Sequence, residues 1–281
     1  MHLTWLKGHG TENDFVLLPD HDGRVLGDLD PGFVAELCDR HRGLGADGVL
    51  RVVRTAAIDV DPGLDLAGAE WFMDYRNADG SISEMCGNGV RVFARHLVEE
   101  SLVDAASPVR IGTRDGVKVV TLAGDDLRVD MGPFVVGDVS EVTVGDHAWK
   151  AREVHTGNPH AVAFVDAVAD AGPLVEQPGY DAGVYPDGVN IEFVERRADR
   201  HVAMRVHERG SGETRSCGTG ACAVGLAAAL ADGARPTREA PVRYRVDVPG
   251  GTVHVEWTAD DRLVLEGPAV IVAAGEMEWR A

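Results

Sequence analysis

No apolar run in the 281-residue chain approaches the ~20 residues that cross a bilayer as a helix, so no membrane-spanning helix is expected. Basic residues are scarce. The 27 Lys and Arg face 46 Asp and Glu, a formal net charge of −19. That balance argues against general nucleic-acid binding, which needs a basic face, and predicts a solvated acidic surface. Cysteines number only four (Cys38, Cys86, Cys217, Cys222), and no two form a C-x-x-C pair, which argues against zinc-ribbon and thioredoxin chemistry. Eleven histidines include no H-E-x-x-H and no H-x-H cluster, so no metal is expected. The stretch Met1 to Gly8 lacks a secretory apolar core. A cytosolic protein with reduced thiols is the expectation. No low-complexity linker interrupts the sequence, and its length suits one large domain or two of about 140 residues.

Against this background two cysteines stand out, 131 residues apart. One lies in Met85-Cys86-Gly87-Asn88-Gly89, the other in Ser216-Cys217-Gly218-Thr219-Gly220. Each C-G-x-G turn opens into a helix-like stretch, Val90 to Glu99 and Ala221 to Ala231. A thiol there faces unpaired backbone N–H groups and the positive end of the helix dipole. That setting lowers a cysteine pKa and makes an anion site beside the sulfur. One such thiol per half predicts a site with a sulfur on each side of a single carbon, the requirement of racemisation or epimerisation. The expectation is a modest depression for one thiol and a near-normal value for the other.

The likeness of the halves extends further. Asn77 precedes Cys86 by nine residues, and Glu208 precedes Cys217 by nine. A strand-like run comes before each, Glu70 to Tyr75 and His201 to His207, so strand–loop–Cys–helix is used twice, as after a duplication. Alternating apolar patterns predict strands at Val117 to Leu122, Leu127 to Met131, Val142 to Val144, Ala161 to Val165, Val242 to Val248, Thr252 to Trp257 and Leu263 to Leu265. Asp30-Pro31 before Phe33 to His41, with Gly43 after, reads as a capped helix closed by a C′ glycine. Each half is expected to carry one long apolar helix beginning at its cysteine. The run Leu226 to Ala231 leaves the second no polar face, so it should be buried all round. A sheet wrapped around a central helix satisfies this. The halves divide near Asp130 to Gly132, and by its own residues Gly267 to Trp279 fits either.

Several other features are weighed and set aside. Gly43 to Gly48 matches G-x-G-x-x-G, but it follows a helix and precedes a strand, the reverse of the dinucleotide fingerprint. Cys38 and Cys222 read as packing residues. Glu208-Arg209 at a strand end could hold an ammonium and a carboxylate. His160 follows Asn158-Pro159, read as a tight exposed turn, and is a candidate ligand or proton relay. Asn13, Asn77 and Asn190 would singly be turn residues.

Together the segments Gly10 to Phe15, Asn77 to Gly80, Met85 to Gly89, Gly157 to His160, Asn190 to Phe193 and Glu208 to Gly220 resemble the diaminopimelate epimerase family. The resemblance implies an α/β (α+β) fold of two pseudo-symmetric domains, each a mixed, largely antiparallel sheet wrapped around a central helix. It assigns 1–130 with 267–281 to one domain and 131–266 to the other. It implies a cytosolic homodimer that binds a small molecule and uses no cofactor. By motif, Cys86 and Cys217 become the acid–base pair. Gly87, Asn88, Gly218 and Thr219 would cradle the reacting carboxylate through backbone N–H groups. Asn13, Asn77, Asn158, Asn190, Glu208 and Arg209 would hold the amino groups and the distal carboxylate, with His160 supporting catalysis and Glu208 counted with the catalytic set. The family often carries glutamine where this chain has Gly48, so one side-chain contact should be missing. Rival readings are a proline or hydroxyproline racemase, which usually has histidine at the place of Asn88, and a non-catalytic amino-acid-binding protein, which needs no thiols.

Overall fold

The computed structural model describes residues 1–279. In chain order the elements are β1 (His2–Gly10), β2 (Asn13–Pro19), α1 (Pro31–Cys38), β3 (Gly48–Arg54), β4 (Trp71–Asn77), α2 (Gly87–Glu99), β5 (Val109–Thr113), β6 (Gly116–Ala123) and β7 (Asp126–Pro133). There follow β8 (Val135–Val144), β9 (His147–His155), β10 (Pro159–Val165), β11 (Gly179–Tyr180), β12 (Asn190–Ala198), β13 (His201–Glu208) and β14 (Gly212–Thr214). The chain ends with α3 (Gly218–Ala231), β15 (Val242–Val248), β16 (Gly251–Trp257), β17 (Arg262–Gly267) and β18 (Val270–Glu278). Strands dominate, as the alternating patterns predict, and none of the helices described is long and apolar enough to cross a membrane.

Two compact units divide the chain, one of Met1–Val129 with the segment that begins at Pro268, the other of Asp130–Gly267. In the first, the strands follow the order β18-β1-β2-β3-β4-β5-β6-β7; in the second, β8-β9-β10-β12-β13-β15-β16-β17. Both orders share one pairing sequence: antiparallel, antiparallel, parallel, antiparallel, parallel, antiparallel, antiparallel. In each unit the long helix follows the fifth strand of this order. Such identity of topology is what a duplication leaves. The first place in the first unit is filled from the far end of the chain, by β18. Arg91 Nε and Arg95 Nε on α2 anchor that returning segment by donating to the carbonyls of Pro268 and Ala269 at 3.4 and 3.2 Å.

Each long helix is surrounded by its own sheet: α2 packs on β1 to β6 and β18, α3 on β9, β10, β12, β13 and β15 to β17. Residues Gly218 to Ala229 of α3 are all buried, as its sequence requires. Helix α2 departs from the apolar expectation, since Arg91 and His96 are buried along it. Helix α1 also differs at its end. Asp30 caps it by accepting from Phe33 N at 2.9 Å, but it stops at Cys38 because Asp39 turns to accept from the backbone N–H of His41 and Arg42. Gly43 is needed there for space, not for a left-handed turn: a Cβ would lie 2.2 Å from Glu36 O and 2.4 Å from Leu37 O.

A comparable constraint holds α3. A Cβ on Gly225 would lie 2.7 Å from Val255 Cβ on β16. Alanine gains about 1 kcal/mol in helix propensity over glycine, but overpacking a rigid β-branched neighbour costs ~1–3 kcal/mol. Gly225→Ala should therefore lower the urea midpoint, and Val255→Ala in the same chain should recover part of the loss. A stabilised single variant would contradict this packing.

Candidate active site

In the first unit Cys86 is the N-cap of α2. Its extended backbone (φ −138°, ψ 120°) lets Sγ accept from Gly89 N at 3.4 Å. In the second unit Cys217 caps α3 in the same way (φ −119°, ψ 116°), with Sγ accepting from Gly220 N at 3.4 Å. Cysteine here takes the place usually held by Ser, Thr or Asp. The helices begin at Gly87 and Gly218, three residues earlier than the apolar runs suggest. The glycine turns are thus the first helical turns themselves.

Around Cys86 the polar groups form a directed relay. The fully buried Arg91 guanidinium donates to Asn88 Oδ1 at 3.0 Å, so the Asn88 amide donates to Asn13 Oδ1 at 3.1 Å. Asn13 Nδ2 then donates to Asp47 Oδ2 at 2.8 Å. An arginine can only donate and a carboxylate only accept, so the two ends fix both amide orientations. Asn13 Oδ1 also faces the Cys86 thiol at 3.7 Å. Arg40 ties Asp47 to Asp14 with contacts of 2.8 and 2.7 Å, and Lys7 joins at Asp14, 2.6 Å away. Burial raises the Asp14 carboxyl, but hydrogen bonds and charge from Arg40 and Lys7 outweigh it and bring it to about 2. Asn77 stands opposite Gly48 in the β3–β4 register, and its side chain bonds within its own turn, to Ser81 Oγ at 3.0 Å. A Cβ on Gly48 would lie 2.6 Å from Arg76 O and 2.7 Å from the Tyr75 ring. The bare position at 48 lets β4 approach β3 this closely here.

Around Cys217 the strands converge more tightly. Thr156 Oγ1 donates to Thr219 O at 3.0 Å, tying the loop before β10 to the first turn of α3. Asn190 donates to Pro159 O at 3.3 Å and accepts from Arg209 N at 2.9 Å, binding together the ends of β10, β12 and β13. Arg209 is exposed and reaches Asp187 O at 2.8 Å, and Glu208 accepts from Thr214 Oγ1. His160 is not on an exposed turn. It is fully buried in β10, because Asn158 and Pro159 are themselves half-buried and the strand starts at once. Its Nδ1 lies 2.6 Å from Oε1 of Glu192, a residue equally buried on β12.

The expected depression or near-normal value fails for Cys217. Burial, then the charges of Glu208 and Glu192, push its thiol well above the ordinary value, against smaller help from Thr219 and Gly220 N. A helix terminus contributes ~0.3–1 kcal/mol, about 2 when partly buried. Desolvation of a thiolate beside two carboxylates exceeds that. Burial also raises Glu208. Cys38 and Cys222 are buried as packing residues, and burial pushes the Cys38 thiol up to about 11.

Within the first unit the structure joins Asn13, Cys86 and Asn88; within the second it joins Cys217 with Thr219 and Glu208, and Asn190 with Arg209, while His160 pairs with Glu192. Sequence reasoning passed over Asp47 and Glu192. The signal for Glu192 was a lone carboxylate inside the apolar run Ile191 to Val194, which demands a buried partner. Asp47 carried no signal beyond its loop.

Cys86 is half-buried, whereas Cys217 is 6% exposed and held protonated. Iodoacetamide at neutral pH should accordingly label Cys86 well before Cys217, as read by peptide mass spectrometry. Equal rates would contradict the asymmetry.

The family profile described as diaminopimelate epimerase matches residues 5–136 and 153–272. The diaminopimelate epimerase of Streptomyces coelicolor is 56% identical over 98% of this chain and 96% of its own length. The enzyme of the same name from Thermobifida fusca is 48% identical over 99% of each. Among solved structures, a PhzF-family phenazine biosynthesis protein from Bacillus anthracis superposes with a TM-score of 0.73 at 15% identity, covering 99% of this chain and 100% of that one. A hydroxyproline epimerase from Agrobacterium vitis gives 0.66 at 16%, covering 98% and 92%. Those two likenesses establish the fold alone. With the profile on both halves and close relatives along nearly the whole length, the chain belongs to the diaminopimelate epimerase family.

Proposed function

We propose that this protein interconverts LL- and meso-2,6-diaminopimelate, a step of lysine and peptidoglycan-precursor synthesis, by exchanging the proton on one α-carbon between two cysteines. The observation that carries the reading is the matched pair of N-cap thiols, each 3.4 Å from a glycine N–H on equivalent elements of two like-folded units. Inversion at carbon needs one group to take the proton from one face and another to give a proton to the opposite face. A single base would return the proton where it came from. Cys217, kept protonated by its surroundings, gives first; Cys86 takes. The reverse reaction exchanges the roles.

The α-proton is a very weak acid, and the carboxylate beside it must absorb the developing charge. Backbone N–H groups of Gly87, Asn88, Gly218 and Thr219, at two helix termini, are the donors proposed for it. Preorganised donors in a site free of water count for far more than the same groups in solution. Asn13, Asn77, Asn158, Asn190, Glu208 and Arg209 are assigned to the amino groups and the distal carboxylate. The relay from Arg91 to Asp47 supports the place of Asn13, since it fixes which of its atoms donates. His160 and Glu208 assist the proton balance beside Cys217. A cytosolic homodimer belongs to the same reading. In favour of a dimer, β18 pairs only with β1 among the described residues and exposes Val270 and Val272.

Incubation with either isomer in heavy water should place deuterium at a single α-carbon together with inversion. Cys86→Ser and Cys217→Ser should each reduce turnover by about 10²–10⁴-fold, the usual worth of a positioned acid or base, while substrate binding persists. No exchange with diaminopimelate but exchange with proline would replace this reading. Light scattering should return twice the chain mass, and a monomer at micromolar concentration would remove the dimer.

A further inference from the structure

A histidine and a carboxylate meet beside the Cys217 turn, both fully buried. His160 on β10 and Glu192 on β12 come from adjacent parallel strands in which His160 stands opposite Asn190 and Val162 opposite Glu192. Both side chains are inaccessible, and Nδ1 and Oε1 are 2.6 Å apart. The other two polar atoms of the pair, His160 Nε2 and Glu192 Oε2, are buried with no hydrogen-bond partner. A buried carboxylate costs several kcal/mol unless bonded, and a structural pair would satisfy all its atoms. The carboxylate also touches the reacting element. A Cβ on Gly220 would lie 2.7 Å from Glu192 Oε1, and Gly220 N is the donor to Cys217 Sγ.

Within the two-thiol reading of the reaction, we propose that Glu192 is a positioning residue: it accepts the Nδ1 proton of His160, fixes that tautomer, and leaves Nε2 as the ring's free acceptor. The neutral imidazole has one donor and one acceptor nitrogen, and the partner of the first decides the second. Glu192 also adds negative charge next to Cys217, which favours the thiol at rest. A carboxylate that orients a histidine in this manner acts without meeting the substrate.

Glutamine at 192 removes the charge that fixes the tautomer. Oε2 and Nε2 both lack a partner, so either amide orientation strands a proton, on the amide at the Oε2 place or on Nε2. Nδ1 is then no longer held as the ring's donor, and the form protonated at Nε2 gains population. Nitrogen-15 histidine spectra, with His160 assigned by its loss in His160→Gln, read this directly. The native protein should show His160 protonated at Nδ1 and bare at Nε2. Glu192→Gln should show an added population protonated at Nε2, with kcat lowered about 10²-fold or more and KM within a few-fold. Glu192→Asp keeps the charge and should recover part of the rate. A native ring carrying a proton on Nε2 overturns the assignment, and this result needs no variant to fold. An unchanged tautomer in Glu192→Gln, or a gain of the Nε2-protonated form that leaves kcat unchanged, also overturns it. Absence of turnover in the native protein, by contrast, removes the two-thiol reading itself and with it the role built on that reading.

Discussion

A sulfur at the mouth of a buried helix organises both units. To cap the helix, the cysteine must hold the extended region while the residues after it turn helical, and its third successor must point an N–H back at the thiol. The glycines after Cys86 and Cys217 make that first turn compact. Gly89 would meet Leu50, Phe15 and Cys86 at 3.3–3.5 Å if it carried a Cβ, and Gly220 would meet Glu192 at 2.7 Å. The helices behind them are enclosed by strands, so each dipole ends at its thiol with the helix body shielded from water. Sheet order, helix placement and thiol are therefore one arrangement, repeated.

The repetition is of backbone, and the charges around the two thiols have diverged. Cys86 faces the Asn13 amide, and the Asp47 carboxylate bonded to that amide is held by Arg40. Cys217 is fully enclosed, with Glu208 and Glu192 close enough to raise it. Unequal burial thus distinguishes two otherwise matched caps, where two equal helix termini would treat both sulfurs alike.

Composition and pattern carried much of this. The C-G-x-G turns, the nine-residue spacing to Asn77 and Glu208, and the seamless apolar face of Ala221 to Ala231 all depend on local rules: capping, turn chemistry and period. Alternation located β6, β7, β10, β15, β16 and β17, but it marked none of β1, β2, β5 and β9, and β8 runs from Val135 where the pattern marks only Val142 to Val144. Its exposed Val135, Val136 and Val139 show no inward and outward alternation to detect. The premature end of α1 depends on Asp39 preferring the backbone of His41 and Arg42, a competition that propensity does not rank.

The sequence by itself determined that two thiols sit at helix starts in duplicated settings, because a cap is a matter of a few adjacent residues. Only tertiary structure decided how those thiols differ, since the pKa of Cys217 depends on desolvation and on carboxylates brought from β12 and β13. It decided likewise that Glu192 meets His160 across 32 residues of chain, and that β4 closes directly onto Gly48. Burial and charge are properties of what surrounds a residue in space, and spatial neighbours exist only once the sheets have closed around their helices.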